Sequence, residues 1–199
     1  MLLRATAQRK QVLPMRDYRG SGRLDTPARV VEFQRGEDGA WNWVPVRNIW
    51  AEVEYSQKNN IFSSSGMGAR DVSLVVWQQP ISLLHAIEVN GDHLLLTSIT
   101  KRNRNQLDIH AALVDIVQCE DKLNGMGLFP AVMVEKYVRF EEPTPHSTNT
   151  VTCVLVTPKA IKLKPGKPLE VGGVTCPVRT MHPLDPYKNE YEIERKFDL

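Results

Sequence analysis

Long apolar runs are missing from this chain, and with them goes the simplest sign of a membrane-crossing helix, which needs about 18 or more consecutive apolar residues. The first residues, MLLRATAQRKQVLPMRDYRG, break their few apolar positions with charges, so neither a secretory signal nor a membrane partner is expected. Cysteine is sparse and odd in number. Cys119, Cys153 and Cys176 stand far apart with no CxxC pair, a pattern that points to buried thiols in strands rather than to a metal finger or redox couple.

Catalytic spacing is absent as well. His85, His93, His110, His146 and His182 include no HxH or HxxxH arrangement, although His93 and His110 are placed to approach across neighbouring strands. Ser63, Ser64 and Ser65 lack the GxSxG elbow and an identifiable base. The glycine pairs around Met67 and Met126, and Gly172-Gly173, do not open a phosphate-binding helix. Glu192 and Glu194 alternate with Tyr191, Ile193 and Arg195, which makes them one wet strand face rather than a catalytic acid pair. These absences lead us to expect a non-enzyme with no cofactor and no metal.

Charge of one sign is also nearly balanced out: 25 basic against 23 acidic side chains leave +2, too little to demand a polyanion partner. The markedly basic exception is residues 1–24, where Arg4, Arg9, Lys10, Arg16, Arg19 and Arg23 face Asp17 alone. Such an arm is solvated, ordered against a neighbouring subunit or an acidic rim, or in direct contact with nucleic acid, with Arg4, Arg9 and Lys10 as candidate basic contacts.

What is present is β-sheet sequence. ARVVEFQRGEDGAWNWVPV reads as a hairpin around a Gly-Glu-Asp-Gly turn, and Asn48–Glu54 as a further strand. VSLVVW, ISLLHAIEV and HLLLTSIT follow, the last two joined by Asn90-Gly91, whose residues tolerate the positive φ of a tight hairpin. The turn KRNRNQ carries Lys101, Arg102 and Arg104, further candidate basic contacts, before an alternating strand that closes near Val114. Trp41, Trp43, Trp50 and Trp77 all fall in strands and are candidate core or interface aromatics.

A second set of strand signals resembles the first in order. Asp71-Val-Ser-Leu-Val-Val matches Thr150-Val-Thr-Cys-Val-Leu, Ile87-Glu-Val-Asn-Gly matches Leu169-Glu-Val-Gly-Gly, and Leu107-Asp-Ile-His-Ala matches Tyr191-Glu-Ile-Glu-Arg, at offsets of 79, 82 and 84. Ala51-Glu-Val-Glu can be placed on Ala131-Val-Met-Val-Glu at an offset of about 81. Two related β-barrel units in tandem, or one larger sheet with recurring strand patterns, would produce this; the barrels are favoured because short strands must deal with their edges. The expected organisation is an all-β chain with a basic arm at 1–24, a barrel at 25–118, a linker at 119–128 and a second barrel at 129–199. Pro177 demands an edge or a bulge.

The longest polar stretch between strands is Gln57, Lys58, Asn59, Asn60, Ile61, Phe62, Ser63, Ser64, Ser65, Gly66, Met67, Gly68, Ala69 and Arg70. A loop of that length is either functional or an ordinary surface insertion. The strand Arg29–Phe33, the turn after it, the Trp41/Trp43 segment, Ile49–Glu54, this loop, VSLVVW, IEVNG and LLLTSI together resemble the head-tail joining, or head-closure, proteins of long-tailed bacteriophages over residues 25 to 115. The resemblance implies small barrels that form a homo-oligomeric ring in the virion neck, between the portal-adaptor assembly and the tail proteins, assembled in a host cytoplasm. It also implies that the loop from Gln57 to Arg70 lines or closes the DNA channel, with Phe62 as an apolar contact and Lys58 and Arg70 as sequence-independent contacts to genomic DNA. The second unit departs from the compact one-barrel pattern and leaves room for a tail terminator or tail-completion protein. From the residues alone, a monomeric β-domain binding nucleic acid or a small ligand is the reading of a different class.

Overall fold

The computed structural model describes residues 24–56, 70–123, 125–135, 150–182 and 186–196. The arm through residue 23, with Arg4, Arg9 and Lys10, and the loop residues Gln57–Ala69 lie outside them. The described chain is all β. Strands β1 (Thr26–Arg35), β2 (Trp41–Tyr55), β3 (Arg70–Trp77), β4 (His85–Val89), β5 (Asp92–Lys101) and β6 (Gln106–Val114) form the first half. Strands β7 (Ile116–Asp121), β8 (Gly127–Glu135), β9 (Thr150–Pro158), β10 (Pro168–Val171), β11 (Val174–His182) and β12 (Lys188–Lys196) form the second.

Each half closes into a six-stranded antiparallel barrel. The first runs β1-β2-β3-β6-β5-β4 around its wall, the second β7-β8-β9-β12-β11-β10, which is the same order shifted by six strands. Closure leaves neither sheet with a free side strand, which is how a small β unit disposes of its edges. The four repeated motifs occupy equivalent strands: β2 and β8, β3 and β9, β4 and β10, β6 and β12. Even the pairing repeats, since Leu74 opposite Ile109 corresponds to Cys153 opposite Ile193, and Ile87 opposite Leu94 to Leu169 opposite Cys176. In one motif the register differs from the sequence reading: Ala51 and Met133 share the partner position, opposite Val76 and Leu155, so the offset there is 82.

Alternation fills each interior. Val30, Ala51, Leu74, Ile87, Leu96 and Ile109 pack the first core, and Phe129, Cys153, Leu155, Cys176, Tyr191 and Ile193 the second. All three cysteines are free and buried there, and burial, with Cys176 nearby, pushes the Cys119 thiol up to about 12. Matching two-residue hairpins cap both barrels. Asn90 and Gly91 have φ of 53° and 92°, Gly172 and Gly173 of 55° and 82°, the left-handed pair that this turn requires. Pro177 stands opposite Pro168 at the start of the short β10, just before a bulge at Val178–Thr180, so its missing donor is lost where little ladder exists.

Two expectations are corrected. The segment 119–128 is not a linker: Val117–Asp121 pairs with Ala131–Gly127 as the first hairpin of the second barrel, and the barrels meet at Asp115, the one residue between β6 and β7. Glycine-rich, charged sequence there serves a tight turn rather than a spacer. The Trp41/Trp43 run and the Asn48–Glu54 strand are likewise one 15-residue strand, β2, because a bulge opposite Val30 and Val31 absorbs Val46, the extra residue between Pro45 and Arg47.

That long strand couples the barrels. The β1–β2 hairpin overshoots its own barrel and lays Phe33 and Trp41 against the core of the second. The outer faces of β6 and of β8 and β9 also pack directly, through Ala112, Val114, Val132 and Val156. Arg35 donates to the Gly125 carbonyl at 3.2 Å, and Lys188 donates from β12 to the Leu96 carbonyl in β5 at 2.9 Å. Backbones from the two barrels approach so closely that a Cβ on Gly127, itself at φ 69°, would lie 3.2 Å from the Gly39 carbonyl oxygen.

Candidate functional site

Of the loop residues proposed from sequence, Arg70 alone is described. It opens β3 opposite Leu113, exposed, with Ser56 held to the neighbouring Asp71 carbonyl at 2.8 Å. The loop therefore leaves the first barrel at the end where the Asn90-Gly91 turn also lies. The basic turn sits at the opposite end: β3 runs from Arg70 to Trp77, and Trp77 pairs with Gln106, the residue that closes the turn. Eight residues of strand put about 23 Å between the two ends. Arg70 and the Lys101–Arg104 turn thus do not converge on one contact.

The turn itself is well built. Asn103 donates to the Gln106 side chain at 2.7 Å, the Asn105 amide donates to the Asn103 carbonyl oxygen of the side chain at 2.9 Å, and Arg102 lies 3.4 Å from Asp108. This leaves Arg102 committed to a carboxylate, while Lys101 and Arg104 are exposed.

The tryptophans separate into two pairs. Trp41 stacks on Phe33 at 5.1 Å and nearly parallel, and Trp43 packs against Phe33 edge-to-face at 5.0 Å, both at the junction between the barrels. Trp50 and Trp77 belong to neither core. They are 56% and 45% exposed, and the register Ala51–Val76 places them one step further along adjacent strands on the outer wall. Alternation explains it: Ile49, Ala51 and Val53 take the inner positions of β2, so Trp50 must point out. Val44 and Val46, also exposed, extend this apolar wall along β2. Beside Trp50 an open groove of about 540 Å³ runs between β1, β2 and β4, bordered by Pro27, Asn48, Asn90 and the ion pair of Arg29 with Glu88 at 2.9 Å.

Between the barrels lies a much smaller space, about 20 Å³, lined by Trp43, His85, Leu95, Val132, Thr157 and Lys188. It admits a water and no ligand. His93, next to it, packs its ring 5.1 Å from Trp43 with Nε2 buried and unpartnered. His93 and His110 do not meet, because His93 pairs with Val114 and His110 with Ser98, at different levels of the same two strands. Among the described residues no group of three His, Cys, Asp or Glu side chains is arranged to hold a metal.

Burial lowers the His93 pKa from 6.5 to about 4; Glu88, 3.8 Å away, does little to oppose this while Arg29 holds it. Between these values the unfolded chain takes up a proton that the folded chain refuses. Stability is then full above pH 6.5 and falls as the pH drops toward 4, by about 3 kcal/mol at the limit. Urea titrations at pH 7 and pH 4.5 should show a larger loss for the native chain than for His93→Gln; equal losses would mean that His93 is not the group responsible.

Sequence reasoning passed over one exposed feature, the lysines of residues 159–167 between β9 and β10. Their signal was the absence of any acid from Lys159 to Pro168, diluted by the apolar residues interleaved with them.

No family model and no curated protein sequence matches this chain. A chain solved within the virion of a native gene transfer agent particle aligns with it at 17% identity and a TM-score of 0.36, over 45% of this chain and 93% of that one.

Proposed function

We propose that the chain is a structural subunit of a tailed-phage-like particle, forming a ring at the neck between the capsid portal and the tail. The observation that carries the ring is the outer wall of the first barrel. Trp50 and Trp77 hold large apolar rings about half exposed on a surface that the described residues leave open, and aromatic residues of that kind concentrate in the centres of protein interfaces. The occupant is a second copy. A ring repeats one heterologous contact around an axis, so each copy would present this wall to the next.

The two barrels support the neck position because they offer two comparable surfaces, locked to one another, for partners on either side. The sequence resemblance over residues 25 to 115 supports portal-adaptor and tail proteins as those partners. Its work is mechanical: interfaces join assemblies and complete a path, and no bond is made or broken. The loop from Gln57 to Arg70 is the channel element in this reading.

Native mass spectrometry of the full chain tests the ring first. A closed multiple of 22.6 kDa is expected, and particle images should place both barrels around one axis. A monomer that persists when portal and tail partners are present would end the proposal.

A further inference from the structure

The second barrel carries a cationic surface for which the ring has no use. Between β9 and β10 the chain reads Lys159-Ala-Ile-Lys-Leu-Lys-Pro-Gly-Lys167, four ammonium groups without a carboxylate. Burial alternates along this strap. Ile161 and Leu163 enter the barrel core, while Lys162, Lys164 and, beyond the Pro165-Gly166 turn, Lys167 are exposed.

The strap is fixed from inside. The Tyr191 hydroxyl donates to the Ile161 carbonyl at 3.0 Å and accepts from the Leu163 amide at 3.1 Å, and the Asn189 side chain donates to the same Ile161 carbonyl at 2.7 Å. At the other end the Gly166 amide donates to the Val178 carbonyl at 2.8 Å, and the Val178 amide to the Lys167 carbonyl at 3.0 Å. Charge is not a requirement of the topology, since the equivalent strap of the first barrel, Gln78–Leu84, has none. Among the described residues, Lys162, Lys164 and Lys167 form no ion pair.

We propose that this strap binds the backbone of duplex DNA, with Lys162, Lys164 and Lys167 each neutralising one phosphate irrespective of sequence. A protein partner would need large apolar side chains at the centre of the contact, and the two here, Ile161 and Leu163, are turned inward, leaving only Ala160 and Pro165 exposed; lysine is also depleted at protein interfaces. An ammonium is a hydrated point charge, so its gain from phosphate comes through counterion release and needs no directional partner. Alternation sets Lys162 and Lys164 about 7 Å apart on one side of the strap. Their backbone is ordered on folding, which removes that part of the entropy cost from binding.

The proposal uses the strap alone and stands apart from the ring. The test is fluorescence anisotropy of a labelled 30-base-pair duplex of arbitrary sequence with the full chain, from 20 to 200 mM KCl. Three phosphate contacts contribute about 2.7 to the slope of log K against log salt, or about a 40-fold loss of affinity from 50 to 200 mM. The triple variant Lys162→Gln, Lys164→Gln, Lys167→Gln should lower the native slope by that amount, and Lys162→Arg, Lys164→Arg, Lys167→Arg should keep it. An unchanged slope in the glutamine variant overturns the proposal. An unchanged slope together with lost co-assembly overturns it in favour of an acidic protein surface. Native mass reports on the ring independently of either result.

Discussion

Replacing both Trp50 and Trp77 with glutamate is expected to collapse the native assembly to a single 22.6 kDa chain while leaving both barrels folded. In the isolated subunit these side chains lie about half exposed on the outer wall, opposite one another on β2 and β3, so losing the aromatic pair and facing two carboxylates should cost about 1–2 kcal/mol, short of unfolding either barrel. At a subunit contact the same changes remove two aromatic anchors, each worth about 2 kcal/mol or more at the centre of an interface, and bury carboxylates in their place. A closed ring makes the loss once per contact. Light scattering after size separation reads the mass, and a thermal melt reads the fold. Retention of the native mass would show that this wall lies outside the contact and would remove the observation on which the ring rests.

Tyr191 governs the largest effect on stability. Its ring is fully buried at the centre of the second barrel, and burial holds the phenol above its ordinary pKa, so the hydroxyl remains a donor at neutral pH. Tyr191→Phe keeps the ring and removes both strap bonds. The Ile161 carbonyl retains Asn189, but the Leu163 amide is left buried without a partner, a cost of about 1–3 kcal/mol. Tyr191→Ala also empties the core and should cost about 3–5 kcal/mol, a large part of what a domain this size has. Urea midpoints order the three chains. A phenylalanine variant within about 0.5 kcal/mol of the native chain would mean that the hydroxyl does not hold the strap.

Much of the fold is legible in local sequence, since Asn90-Gly91 and Gly172-Gly173 each sit between short apolar runs and the four recurring motifs fall in the same order. Closed pairing makes those motifs more than coincidence: three of the four recover the same opposite partner as read, and the Ala51 motif does so after a one-residue shift. Trp50 was harder to place, because Trp50 and Val53 have opposite parity and cannot share a face; the inner position belongs to the small Ala51, as suits a narrow six-stranded interior. The reach of the β1–β2 hairpin onto the second barrel was not legible at all. Phe33 and Trp41 look like ordinary strand aromatics, and what they cover is set by a bulge at Val30/Val31 and by a one-residue connection. The cationic strap is hard to read in the sequence because its charges alternate with core residues instead of forming a block.

That one-residue connection has a mechanical meaning. A single peptide unit at Asp115 spans no more than about 3.6 Å per residue, so the two barrels of a chain cannot separate to trade places with those of a neighbour. The Gly39–Gly127 approach and the Lys188–Leu96 bond resist rotation of one barrel against the other. In any assembly of this chain, first and second barrels occur in equal number and in fixed angular phase. A twist applied to one layer is delivered to the other without slip, so the chain behaves as a rigid coupling between whatever it joins.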